Sequence, residues 1–269
     1  MVAQADVKAG GREAAVGNHS SATVGSVSSD ALGALNLEAL NAEFANRPAL
    51  DIIDWAVDRF GDRLAVSSSF GADSAVMLSL AVQVKPDIRV ITVDTGFLFE
   101  QTVQFRETLR QRLGLNLAVF RPAMDRDSFV NEHGRMWASS PNACCAFNKQ
   151  EPFERAKREL GVQAWITGIR REQSHTRRNA PFIARDFDGL IKVCPIADWT
   201  AQDVHYHLAE CDLPYHPLRA QGYISIGCEP EPGFCTRRVK PGEDPRAGRW
   251  AGFDKTECGL HTFDSGSGI

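Results

Sequence analysis

Leu64-Ala65-Val66-Ser67-Ser68-Ser69-Phe70-Gly71-Ala72-Asp73-Ser74, running on into the apolar stretch Ala75 to Val84, decides the fold. Leu64 to Ser69 reads as a strand and Ser74 to Val84 as a helix, and a strand turning directly into a helix opens a parallel α/β layer. At that junction, unpaired backbone N–H groups and the helix dipole favour an anion, with Ser67, Ser68 and Ser69 adding hydroxyl donors beside Phe70 and Gly71. The stretch is neither a Gly-Lys-Ser/Thr phosphate loop nor a three-glycine dinucleotide fingerprint. A plain βα turn, with Asp73 or Ser74 capping helix N–H groups, produces the same pattern.

Working outward, helices are expected from Leu35 through Leu37 and Leu40 to Phe44, and from Leu50 to Phe60. Downstream, strand Ile88 to Val93, helix Phe99 to Leu113, strand Leu117 to Phe120, helix Asn148 to Leu160, strand Ala164 to Thr167, strand Leu190 to Val193 and helix Ala201 to Leu208 continue the alternation. Right-handed crossovers then give one α/β domain, a parallel sheet with helices on both faces. Asp94-Thr95-Gly96 ends the second strand, at the carboxyl edge where open α/β sheets bind ligands. The pattern divides the chain into a flexible extension over residues 1–34, an α/β domain over 35–213, and a Gly/Pro-richer C-terminal segment over 214–269.

The chain has 269 residues, 43% of them hydrophobic, and a net charge of −4. With a pI near 6.0, no basic field covers the surface, which argues against nucleic acid as a partner. No apolar run approaches a bilayer span, and residues 1–34 lack the basic start and apolar stretch of a secretion signal, so a cytoplasmic protein is expected. Homo-oligomerisation is left open.

Seven cysteines in such a compartment favour metal binding or catalysis over disulfides. Cys194 and Cys211 lie in apolar or helical surroundings and are expected in the core. Adjacent Cys144 and Cys145 are poorly placed to bond each other. With Cys228 and Cys235 they supply four thiolates, the ligand count of a [4Fe–4S] cluster and also of zinc. Cys258 stands apart in Lys255-Thr256-Glu257-Cys258-Gly259-Leu260-His261, on a glycine-rich tail that could carry a nucleophilic sulfur between partners. Glu257 beside it disfavours the thiolate unless cations compensate. Lys149, Arg170, Arg171, Arg177, Arg178, Arg246 and Arg249 sit in these same motifs, and arginine forks bind phosphate or sulfate oxygens bidentately. Together they suggest a small polyanionic substrate.

Ser69-Phe70-Gly71-Ala72, Asp94-Thr95-Gly96, Cys144-Cys145 with Lys149, Arg170-Arg171-Glu172-Gln173-Ser174, Gly222 to Cys228 and the Glu257-Cys258-Gly259-Leu260-His261 string make the chain, from about residue 40 to His261, resemble the phosphoadenylyl-sulfate/adenylyl-sulfate reductase family. The likeness is to its bacterial assimilatory adenylyl-sulfate (APS) branch. The resemblance implies an adenine nucleotide α-hydrolase-like fold with a flexible C-terminal tail. It makes Cys258 the nucleophile, Cys144, Cys145, Cys228 and Cys235 the ligands of a [4Fe–4S] cluster, and reduced thioredoxin or a similar dithiol protein the partner. The chain departs from the pattern by placing six residues between Cys228 and Cys235, where the family usually has two.

On that resemblance adenosine 5′-phosphosulfate lies with its phosphate over Ser67–Gly71, and its sulfate faces Lys149, Arg177, Arg246 and Arg249. Cys258 attacks sulfur, AMP leaves, and a dithiol then expels sulfite from the S-sulfocysteine. His261 would steady the tail or acidify Cys258. Three alternatives stay open: phosphoadenylyl sulfate as the substrate, an ATP-dependent adenylating or thiolating enzyme of the same fold, and an iron–sulfur redox sensor.

Overall fold

The computed structural model describes residues 35–260. The expected extension over residues 1–34 lies outside them, as does His261. Two helices come first, α1 (Leu37–Phe44) and α2 (Ala49–Phe60), and Asn36 caps α1 by accepting from the Ala39 N–H. The alternating part follows: β1 (Leu64–Ser67), α3 (Ser74–Val84), β2 (Arg89–Val93), α4 (Glu100–Leu113) and β3 (Asn116–Phe120). Short helices α5 (Arg126–His133), α6 (Met136–Ser139) and α7 (Pro141–Cys145) lead through a π-helical turn, Ala146–Gln150, into α8 (Glu151–Glu159). Strands β4 (Ala164–Thr167), β5 (Ile183–Arg185) and β6 (Ile191–Val193) and helix α9 (Ala201–Glu210) complete the layer.

The sheet order is β3-β2-β1-β4-β6-β5. All neighbours run parallel except β5, which returns antiparallel along β6. β1 therefore lies between β2, which follows it on one side, and β4 on the other. Such a reversal of strand order opens a crevice at the carboxyl ends of the strands.

Alternation along the strands assigns the two faces. Ala65, Ile91 and Trp165 turn toward α8 and pack with Phe153, Ala156 and Val162. α3 is apolar all round, with Ala75 to Ala81 buried without interruption, as a helix enclosed by other elements requires. Gly168, just beyond β4, lies so close to α3 that an added Cβ would sit 3.2 Å from Cβ of Met77. The wall of the crevice is thus pressed against the central helix.

The segment beyond Pro214 is seated on this layer as far as Leu260, burying Leu218, Ile226, Cys235, Trp250 and Cys258. Cys194 is in the core as expected. Cys211 is not: it caps the end of α9, is half-exposed, and its sulfur stands 3.7 Å from Nε2 of His207. Among the described residues no helix is long and apolar enough to cross a membrane.

Candidate active site

At the end of β1 the chain must leave the sheet and start α3 within a few residues. Phe70 accomplishes this with a φ of 49°, an unusual conformation for a side chain of its size, and it is 1% exposed. Burial of the ring in the core holds the turn. Ser68 Oγ accepts from the Phe70 N–H at 3.1 Å, and Ser74 Oγ donates to the Gly71 carbonyl at 2.9 Å. No side-chain oxygen caps the start of α3. Asp73 instead turns its carboxylate to Arg170, at 2.6 Å, and to Arg219. The simple capped turn is therefore not what the chain builds there.

Ser67, Ser68, Ser69 and Gly71 line a cleft of about 310 Å³ above the switch point. Lys149, Arg170, Arg177, Arg246, Arg249 and Cys258 line the same cleft. Residues from four distant stretches of sequence thus converge on one concavity.

Five expected positions lie elsewhere. Phe70 points into the core. Arg171 donates to the Ala180 carbonyl at 2.9 Å and stacks over Phe182, away from the cleft. Asp94 is engaged by Arg106 and Arg121, and neither it nor Gly96 lines the cleft. Thr95, the middle residue of that turn, faces a neighbouring cavity and stands 3.3 Å from Cys228 Sγ.

That second cavity, about 20 Å³, is lined by Cys144, Cys145, Cys228 and Cys235 together with Lys149, Arg249, Trp137 and Trp250. Lys149, Arg249 and Trp250 border both spaces. Of the six intervening residues after Cys228, Glu229 bonds the Phe97 carbonyl through its N–H and Pro230 lines the cavity, while the rest turn outward, with Glu231 paired to Arg135 before α6 and Phe234 packed on Phe253. Cys235 consequently returns to the cavity despite the longer connection. Burial pushes the thiols of Cys144 and Cys235 up to about 12, and the nearby Cys145 and Cys228 reinforce this at both. Among the described residues no three side chains stand together at metal-ligating separations. What the cavity offers is donor chemistry, four sulfurs beside two cations.

The tail lines the larger cleft through Cys258 and Leu260. Cys258 is 7% exposed and packs with Phe97, Phe129, Trp137, Cys235 and Trp250. Its carbonyl accepts from Gln150 Nε2 at 2.7 Å. Glu257 accepts from Arg177 Nε and Nη2 at 2.7 and 2.8 Å and from Arg246 Nη2 at 3.2 Å. Burial works to raise the Glu257 carboxyl, but these two arginines outweigh it and hold the group below the usual carboxylate range. Burial likewise depresses Arg246 to about 9, aided by the Arg177 charge, which leaves it cationic at neutral pH. The cations expected to compensate Glu257 are therefore in place and bonded to it. Gln150 and Arg219 carry no motif that marks them in the sequence; their roles come only from tertiary approach.

The model of the phosphoadenosine phosphosulfate reductase domain matches residues 63–234, most of the chain. The chain belongs to that family. A phosphoadenosine 5′-phosphosulfate reductase of Xylella fastidiosa is 44% identical, covering 82% of this chain and 92% of its own. An adenosine 5′-phosphosulfate reductase of Halalkalibacterium halodurans is 39% identical over 82% of this chain and 95% of its own. A crystal structure of phosphoadenylyl-sulfate reductase from Candida auris, a phosphate complex, superposes with a TM-score of 0.65 at 28% identity, covering 72% of this chain and 95% of that one. At 15% identity and a TM-score of 0.51, the FMN adenylyltransferase of Candida glabrata shares the fold alone. The family is one of sulfonucleotide reductases, and the expected α/β architecture, a mostly parallel sheet with helices on both faces, holds.

Proposed function

We propose that the chain reduces adenosine 5′-phosphosulfate to sulfite and AMP, with Cys258 as nucleophile. The observation that carries this is the seating of one buried thiol in a cleft that also holds the serine loop and five arginines. Ser67 to Gly71 receive the nucleotide's phosphate, and Lys149 and Arg249 face the sulfonate. Cys258 thiolate attacks sulfur; the new S–S bond forms as the S–O bond to AMP breaks, leaving S-sulfocysteine. One thiolate of a dithiol protein of the thioredoxin type then attacks Cys258 Sγ and sulfite leaves with the bonding pair. The second thiol resolves the mixed disulfide, so the dithiol is oxidised and Cys258 is regenerated.

Cys144, Cys145, Cys228 and Cys235 fit a [4Fe–4S] cluster by donor type and number, and the flanking Lys149 and Arg249 suit a cavity that gathers thiolate charge. Bound there, such a cluster supplies local negative charge and rigidity next to the cleft. The reducing electrons come from the dithiol.

Phosphoadenylyl sulfate is the second reading, favoured by the Xylella fastidiosa relative named for that substrate and by the long connection between Cys228 and Cys235. Turnover of the two nucleotides by anaerobically purified protein, with iron and sulfide measured alongside, separates them. For the common mechanism, incubation with nucleotide and no dithiol places one SO₃ on the Cys258 peptide. Cys258→Ser binds nucleotide without releasing AMP or sulfite; release at the wild-type rate would refute the assignment.

A further inference from the structure

Arg177 and Arg246, two of the cations expected to meet a substrate anion, spend their hydrogen bonds on the protein's own tail. Arg177 gives Nε and Nη2 to Glu257 and Nη1 to Gln173 at 2.6 Å. Arg246 gives Nε and Nη2 to the Thr256 carbonyl, at 3.2 and 2.7 Å, and Nη1 to Ser225 at 3.3 Å. Thr176 Oγ1 adds a donor to Glu257 at 3.3 Å. Side-chain exposure of Arg177 and Glu257 is only 8% and 9%, so little water competes. Among the described residues, further side-chain bonds to the tail include Gln150 on the Cys258 carbonyl and Lys255 to Asn142.

We propose that Glu257 is a positioning residue, an internal anion that latches the tail shut through Arg177 and Arg246 and so holds Cys258 over the cleft. This rests on the reading of Cys258 as nucleophile. A thiol this deeply seated cannot meet a thiol of a second protein until the tail lifts, and lifting the tail breaks the Glu257 contacts first. The carboxylate thereby sets how much of the protein presents its sulfur inward and how much outward. Gly259 makes a second handle: its φ is 92°, a conformation that disfavours any side chain, and in the seated tail an added Cβ would collide with the Gln150 carboxamide.

The test is native limited digestion of the full chain with trypsin, following release of peptide 256–269 after Lys255, since cleavage tracks the open population when opening is fast. Glu257→Gln, which keeps size but loses charge, should release the peptide about tenfold faster or more, on the scale of hydrogen bonds to charged groups. Some fall in melting temperature is expected too, since Arg177 and Arg246 lose a buried partner, so release is compared well below both transitions, where each protein is fully folded. Glu257→Asp should fall between, and Gly259→Ala should also accelerate release. In single turnover without dithiol, Glu257→Gln should sulfonate Cys258 more slowly at unchanged nucleotide affinity. A Glu257→Gln release rate equal to wild type overturns the latch, whether or not Cys258 is sulfonated. Faster release with no SO₃ on wild-type Cys258 upholds the latch and overturns the nucleophile instead.

Discussion

Lys157→Met tests whether the buried charge cluster under the sheet is structural. Lys157 Nζ lies 3.1 Å from Asp186, 2.7 Å from Asp188 and 2.7 Å from Glu154. The Lys157 and Asp186 side chains are 4% and 5% exposed, while Glu154 and Asp188 reach solvent at 33% and 46%. Losing the ammonium therefore leaves one buried carboxylate with Lys192 as its remaining cationic neighbour, because the other two relax into water at little cost. Removing one partner of a buried pair costs about 3 to 5 kcal/mol. Asp186 retains the Trp165 indole N–H at 2.9 Å and two backbone N–H donors, and methionine retains much of the stem's packing on Phe153 and Trp165, so the lower end applies, about 3 kcal/mol. For a domain of this size that is a fall in melting temperature of about 6 to 12 °C. Urea unfolding at neutral pH, followed by tryptophan fluorescence, should show a lower midpoint at unchanged slope. Adding Asp186→Asn should restore part of the loss, since the stranded charge is gone. A single-mutant loss below about 1 kcal/mol would refute the reasoning and class the cluster with ordinary surface pairs.

Burial lowers His216 to about 4 from its usual 6.5. The unfolded chain thus takes up a proton near pH 6.5 that the folded state refuses, and stability falls by about 3 kcal/mol as pH drops toward 4. Urea midpoints should show a flatter acid limb in His216→Gln. Glu154 behaves oppositely: burial first, then its hydrogen bond with Asp188, raises it to about 7. Its contribution is complete below pH 4.5 and is lost as pH rises through 7, so midpoints of Glu154→Gln should lose that slope. Cys235→Ser should lower the iron bound per chain after anaerobic purification; unchanged iron would remove Cys235 from the ligand set.

The sheet and its principal helices were legible because their signals are local. Ser74–Val84 and Ala164–Thr167 have the boundaries their apolar patterns predict. β5 escaped because three residues, Ile183–Arg185, carry too little period to register, and its identity comes from pairing with β6. The short helices α5 to α7 were likewise invisible between stronger elements. At the site, Lys149, Arg177, Arg246, Arg249 and Cys258 do converge, as the charge logic of a polyanion site expects. Arg171 does not, because adjacent arginines leave the backbone in different directions and only Arg170 turns toward Asp73. Nor could the pattern reveal that Arg177 and Arg246 bond the tail, since that depends on where Glu257 lands after the chain has crossed the sheet.

Lys149 borders both the serine-loop cleft and the thiol cavity. One ammonium then serves two compartments, and its field cannot be altered in one without being felt in the other. Thermodynamic reciprocity makes the consequence symmetric: whatever factor an occupant of the thiol cavity applies to the affinity of a ligand in the cleft, that ligand applies to the occupant's retention.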